Sequence, residues 1–343
     1  MRRLSLLLVP LLLLAGCGNS DDPDADPSSS PSASTPEPVR TGETPVVTGG
    51  FGEQPKIEIP TTRPGNQLVA NVLDEGTGAT LAADDVLVAD YEAWVWHTPG
   101  ETPTPNPTGP SPAPDGSFDS TFGEGQPASF PLATTSLLQG MYDGLVGKKV
   151  GSRVLLVVPP EQGFGADGSS ELGVGPDDSI IFVFDLLDDF AGTAAADGTP
   201  TGITDPSVPT VADGGDTGPT ITIPAGVTPP TTLVTQVLLQ GDGATVEAGQ
   251  LLMVQYRGVL WKDGKEFDSS WSRSQPTSFS IGTGGVIPGW DHGLVGQKVG
   301  SRVLLVVPPD EGYGPEGNES GGIAGDDTLV FVIDILGTYG DAT

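Results

Sequence analysis

The sequence predicts an α+β protein built from two tandem copies of one domain, and three observations carry that reading. Residues 144–160 (GLVGKKVGSRVLLVVPP) recur at 293–309 with a single change, Lys148 to Gln297. The match spreads outward: PKIEIP at 55–60 answers PTITIP at 219–224, and DSIIF at 178–182 answers DTLVF at 327–331. Within each copy, short runs of β-forming residues bounded by Gly, Pro or Asp accompany a single plausible helix. A period this long indicates duplicated globular domains, because solenoid repeats run roughly 20–50 residues.

The elements follow in chain order. Arg2 and Arg3 precede an apolar run at 4–14, broken only by Ser5 and Pro10. A membrane-spanning helix needs about 20 apolar residues, so residues 1–16 read as a secretory signal. The string LAGC at 14–17 resembles a bacterial lipobox, which implies acylation of Cys17 and anchorage to the outer face of the cell membrane. The alternative is an ordinary signal peptide beside a coincidental cysteine. Residues 17–54 carry almost no large apolar side chain over most of their length. They cannot offset the entropy of ordering, so they read as a disordered tether. The first copy occupies 55–190, the second 219–340, and 191–218 has the composition of an interdomain linker. Tyr91 and Phe118 lie 27 positions apart, Tyr256 and Phe267 only 11, and the excess is a Pro-rich insertion at 98–114. In the second copy, 251–260, 302–307 and 328–335 read as strands. KDGK at 262–265 reads as a turn, and 288–295, with Pro first and Gly296 after, as the helix.

Composition narrows the chemistry. The formal charge is −31, which argues against nucleic acid and anionic lipid headgroups as direct ligands. One cysteine and two histidines leave no disulfide, no CxxC zinc site and little for a triad. No metal and no cofactor is expected. His292 reads as a solvated helix residue, and His97 as inert beside the insertion.

A combination of motifs in the second copy is specific: VQYRG at 254–258, FDSS at 267–270, VIPGW at 286–290, GL at 293–294, VG at 299–300, PDEGYG at 309–314 and TLVF at 328–331. Together they resemble the FKBP-type peptidyl-prolyl cis–trans isomerases. The resemblance implies, for each copy, a five- or six-stranded antiparallel sheet curled around one short helix, with an apolar pocket between them. It places Trp290 at the pocket floor and Tyr256, Phe267, Phe279 and Phe331 in its walls. Val286 and Ile287 form a lip whose backbone amide meets a substrate carbonyl, Tyr313 offers a hydroxyl, Ile323 closes one side, and Asp268 is the polar member beside Tyr256. Thr277 departs from the aromatic that the family often has ahead of Phe279. Taken singly, Phe279, Phe331 and Trp290 each read more readily as ordinary core, and Asp268 could be a turn or cap residue; the whole set in family order favours the pocket. The implied partners are Pro-containing polypeptides and rapamycin-class macrolides. Rotation about X–Pro faces a barrier of ~18–20 kcal/mol from amide resonance. An apolar site that strips water from the carbonyl lowers it without nucleophile or metal.

The two copies differ where it matters. Tyr91, Phe118, Asp119, Phe130 and Phe182 keep the set, but Trp290 becomes Met141 and Tyr313 becomes Phe164. Val286 and Ile287 become Leu137 and Leu138, and Ile323 becomes Val174. The expectation is an isomerase assisting secreted or envelope proteins, active mainly in the second domain, with a weak or inactive first domain. The alternative is a non-catalytic peptide-binding or chaperone lipoprotein. A hydrolase is disfavoured, since no histidine is shared between the copies to act as base.

Overall fold

The computed structural model describes residues 39–97, 116–202 and 205–342. The signal segment, Cys17, most of the tether and the insertion 98–114 lie outside the described residues. The first domain contains β1 (Val46–Thr48), β2 (Lys56–Glu58), β3 (Val69–Asp74), β4 (Val86–Trp96), β5 (Ser117–Ser120), β6 (Ala128–Pro131), α1 (Gln139–Leu145), β7 (Arg153–Val158) and β8 (Ser179–Phe190). The second contains β9 (Thr199–Pro200), β10 (Thr210–Ala212), β11 (Thr220–Thr222), β12 (Val234–Gln240), β13 (Leu251–Leu260), β14 (Glu266–Ser269), β15 (Thr277–Ser280), α2 (Pro288–Leu294), β16 (Arg302–Val307) and β17 (Leu329–Tyr339). Their main sheets run β3-β7-β8-β4-β5 and β14-β13-β17-β16-β12-β9, with β6 on β4 and β15 on β13, all antiparallel. Strands β13 and β16 keep their predicted bounds, whereas β17 runs on to Tyr339.

Each helix packs on the concave face of its sheet. Two glycines one turn apart make the approach possible: a Cβ on Gly289 would come within 2.7 Å of Val307, and one on Gly293 within 2.7 Å of Leu305. Gly140 and Gly144 do the same against Val158 and Leu156. Trp290 and Leu294, or Met141 and Leu145, then face the core.

Two segments depart from the composition-based expectation. The tether, read as disordered to residue 54, has already joined the fold by β1, which pairs with β2. Val47, Ile57 and Ile59 cover Trp94, Trp96, Leu155, Val157, Ile181 and Val183 on the convex face. Burying side chains of this size is worth ~1.5–3 kcal/mol each, enough to order a strap that is otherwise Gly- and Thr-rich. The linker 191–218 is likewise structured. It supplies β9 to the edge of the second sheet and β10 to a hairpin with β11, whose Val211 and Ile221 cover Trp261, Val306 and Val332. Beneath each hairpin lies a buried ion pair, Arg153–Asp185 and Arg302–Asp334, both with Nε to Oδ1 at 2.6 Å. In the first, Arg153 also donates to the carbonyls of Gly49 and Glu53 in the strap. Of the two histidines, His97 sits 2.8 Å from the Asp178 carboxylate, and the exposed His292 the same distance from Glu311.

The two domains meet through equivalent surfaces. Val86 and Val88 of β4 pack with Leu251 and Met253 of β13, flanked by Leu187, Phe190, Leu336 and Tyr339. Ser129 bonds Ser278, its own counterpart in the repeat, at 2.7 Å, and the Phe190 ring meets the Tyr339 ring edge-on at 6.4 Å. Counterpart touching counterpart is the mark of a two-fold interface, here closed within one chain.

Candidate active site

The candidate site of the second domain forms where the sheet is interrupted. Strand β13 carries β15 along Leu251–Val254 and β14 along Arg257–Val259, which leaves Gln255 and Tyr256 without a strand neighbour on that edge. Ser270 fills the gap: its N–H donates to the Tyr256 carbonyl at 3.0 Å, and its Oγ accepts from the Tyr256 N–H at 2.7 Å. The chain between the two strands therefore loops out beside the Tyr256 ring, as a 3-10 turn over Trp271–Arg273.

Four rings gather around Trp290. Tyr256, Phe279 and Phe331 each meet it edge-on, with centroids at 5.3, 5.2 and 5.4 Å, and Phe267 meets Phe331 at 5.5 Å. Such T-shaped contacts are favoured by the ring quadrupoles. Trp290, Ile323 and Phe331 are buried, and Phe267, Phe279, Val286 and Ile287 half-buried around them. Tyr313 stands on the following loop with 39% of its surface exposed. The structure thus brings together Tyr256, Phe267, Asp268, Phe279, Val286, Ile287, Trp290, Ile323 and Phe331, while Tyr313 makes no ring contact with them among the described residues.

Arg273, which sequence reasoning missed, completes the polar side. Tyr256 donates its phenol proton to the Asp268 carboxylate, Arg273 donates to Asp268 Oδ1 at 2.5 Å and to the Tyr256 hydroxyl at 3.2 Å, and its guanidinium lies 6.0 Å from the Tyr256 ring centroid. Burial pushes Asp268 up, but the bonds from Tyr256 and Arg273 and the Arg273 charge outweigh it and hold the carboxyl below its ordinary value. Burial and the bond to Asp268 push the Tyr256 phenol up to about 12, with Arg273 opposing. The signal for Arg273 lay five residues beyond Asp268, where the first copy has Glu124.

The first domain repeats the frame with other contents. Thr121 takes the place of Ser270, accepting from the Tyr91 N–H at 2.9 Å, and Tyr91 donates to Asp119. Phe118, Leu137, Leu138 and Phe164 pack half-buried against a core containing Met141, Phe130, Val174 and Phe182. The rings, however, centre on Phe184, a residue of the sheet. It stacks with Tyr91 at 5.7 Å and Phe182 at 5.6 Å and meets Phe130 edge-on at 5.5 Å. Its counterpart in the second copy is Ile333. The bulk lost from the helix at Met141 is regained from the sheet, where Phe184 meets the counterparts of the three rings that surround Trp290. Among the described residues no cation pairs with Asp119: burial, and then the nearby Glu124 charge, raise its pKa despite the bonds from Tyr91 and Ser120. A groove of about 730 Å³ lined by Ile223, Val227, Trp261, Lys262 and Asp327 lies under the strap on the convex side and includes none of these residues.

Residues 80–187 and 243–336 match the family FKBP-type peptidyl-prolyl cis-trans isomerase, one match in each repeat. The chain belongs to this family. An FK506-binding protein of Streptomyces anulatus is 43% identical over 118 residues, 34% of this chain and 94% of the relative. A probable FK506-binding protein of Corynebacterium glutamicum is 42% identical over the same length, covering 34% and 96%. Among solved structures, FkpA from Escherichia coli is 41% identical, covers 34% of this chain and 53% of its own, and has a TM-score of 0.30. The two FK506-binding relatives are thus about one domain long, and the FKBP-type isomerase described here carries that domain twice.

Proposed function

We propose that the second domain performs the isomerisation and that its clients are Pro-containing polypeptides folding outside the cytoplasm. The observation that carries this is the difference in ring placement. In the second domain Trp290 floors a ring-lined site from the helix, beside a neutralised Tyr256–Asp268–Arg273 cluster. In the first, Phe184 fills the corresponding space from the sheet.

The chemistry follows from the site. A prolyl ring seated on Trp290, between Tyr256, Phe279 and Phe331, places its amide in surroundings poor in water. The planar amide is the more polar form, and its loss of solvation favours the twisted one. The backbone N–H of Ile287 has no acceptor among the described residues, which leaves it available to hold a substrate carbonyl. The hydroxyl of the exposed Tyr313 can hold the other end. Tyr256, Asp268, Trp290 and Tyr313 are the residues we assign to catalysis, with Phe267, Phe279, Val286, Ile287, Ile323 and Phe331 to binding. The same apolar bowl suits a macrolide of the FK506 or rapamycin class, consistent with the names of the relatives. The first domain, with Tyr91, Phe118, Asp119, Phe130, Leu138, Met141, Phe164 and Phe182, is assigned weak turnover or peptide holding.

The lipobox-like LAGC supports a membrane-anchored, extracytoplasmic location, where uncatalysed prolyl isomerisation takes tens to hundreds of seconds and limits folding. Two acyl chains at ~0.8 kcal/mol per buried CH₂ would secure it. The test is prolyl turnover of the full chain against Trp290→Ala. Retained activity refutes the assignment to the second domain, and a Cys17→Ala chain that stays in the membrane fraction refutes the anchor.

A further inference from the structure

The loop that carries Asp268, Ser270 and Arg273 is held by the segment that leaves the first domain. Gln255 points to the opposite face of β13 from Tyr256 and is fully buried. Its Nε2 donates to the carbonyl of Gly192 at 2.8 Å, just past the end of β8 in the first domain. Its Oε1 accepts from the Ser270 hydroxyl, the same hydroxyl that receives the Tyr256 N–H. One side chain thus links the tail of the first domain to the residue that replaces the missing strand beside Tyr256.

Gly192 makes a second contact with the same loop. A Cβ there would lie 2.1 Å from the Ser274 carbonyl, and Ser274 follows Arg273 directly, held in a left-handed conformation at φ 50°. The reverse contact is built differently: Asp341 past β17 donates its N–H to the Gly125 carbonyl at 2.7 Å. There the counterpart of Gln255 is the shorter Asp90, which takes the Thr121 hydroxyl at 2.8 Å. The amide at 255 is required on chemical grounds. The Gly192 carbonyl needs a donor, and the Ser270 hydroxyl, already accepting from Tyr256, needs an acceptor; a glutamine offers both ends at once.

We propose that Gln255 and Gly192 are positioning residues for isomerisation, through which the first domain fixes the Asp268–Arg273 loop over the pocket of the second. The first domain is then a structural subunit of the active site, whatever its own turnover. This rests on the assignment of activity to the second domain.

The test uses the full chain and measures kcat and KM on an X–Pro peptide with thermal unfolding alongside. Gln255→Leu removes the link, and Gly192→Val, in the segment that leaves the first domain, pushes on Ser274. Each is expected to lower kcat about tenfold with KM within about twofold, because the Trp290-floored bowl is untouched. Gln255→Glu keeps the acceptor for Ser270 but sets an oxygen against the Gly192 carbonyl and beside Asp334. It is nearly isosteric and serves if the leucine variant does not fold. A folded Gln255→Leu or Gly192→Val chain with wild-type kcat overturns the proposal, as does a KM rise equal to that of a Trp290→Leu control, which marks general loosening. If Trp290→Leu itself retains full turnover, the second-domain assignment fails, and the role of the link in turnover falls with it.

Discussion

The two pockets of this chain share one backbone plan and differ in where their bulk and charge come from. In the second domain the helix supplies the large ring and a cation closes the polar edge. In the first the sheet supplies the ring, through Phe184, and Glu124 stands where Arg273 would be. A copy without the floor tryptophan can therefore be well packed: the Met141 side chain is fully buried. What separates the copies is the availability of a ring-lined bowl and a neutralised carboxylate, and four experiments test that difference.

The largest effect is expected at the floor. Trp290→Ala should cost about 100-fold in kcat/KM, on the scale of lost substrate positioning, and ~3–5 kcal/mol in stability of its domain. Met141→Ala should cost ~2–5 kcal/mol in its own domain yet leave peptide turnover unchanged. Equal losses of turnover from both would erase the contrast. Next comes an attempt to convert the first pocket. Met141→Trp alone should destabilise by ~1–3 kcal/mol through overpacking, because Phe184 occupies the space. Adding Phe184→Ile should restore the melting temperature and raise turnover in a Trp290→Ala background. Continued silence from the double variant would mean that charge, not volume, sets the difference.

A smaller effect is expected from charge alone. Arg273→Glu should lower kcat/KM about tenfold by removing the charge that holds Asp268 ionised and by placing a like charge beside it. Arg273→Lys should cost less. The smallest effect is a matter of pH. Asp119 has a raised pKa in the folded state, so its ionisation weakens the first domain, and that penalty is relieved as pH falls through its folded pKa, above the ordinary carboxylate range. Asp268 has a lowered pKa, so its contribution is present above the ordinary value and is lost only as pH falls below it. Carboxyl NMR titration should show Asp119 taking up its proton first; the reverse order would refute the charge reading of both sites.

Much of this was legible in the chain. The repeat fixed the number of domains, β-rich runs located β13 and β16 to the residue, and the motif series named the ring cluster. Besides Arg273, three things were not legible, each for a physical reason. The straps around β1 and β10 looked like tether and linker because composition averages over glycine and threonine, while Val47 and Val211 each act as a single anchor on a tryptophan-bearing face. Phe184 was hidden because compensation in volume between a helix and a sheet exists only in three dimensions. Gln255 was hidden because a polar residue in a β-run is ordinarily a solvent-facing alternation, and here a second domain covers that face.

The Ser129–Ser278 and Phe190–Tyr339 contacts have a consequence for divergence. In a symmetric dimer of separate chains, a substitution on the axis alters both sides at once and must suit its own image. Joining the copies in one polypeptide removes that condition. Position 339 could acquire a phenol that donates to Asp188 at 2.7 Å while its opposite number, Phe190, stayed a plain ring. The same release would let one half serve as a brace while the other keeps the catalytic role proposed for it, without either losing its partner.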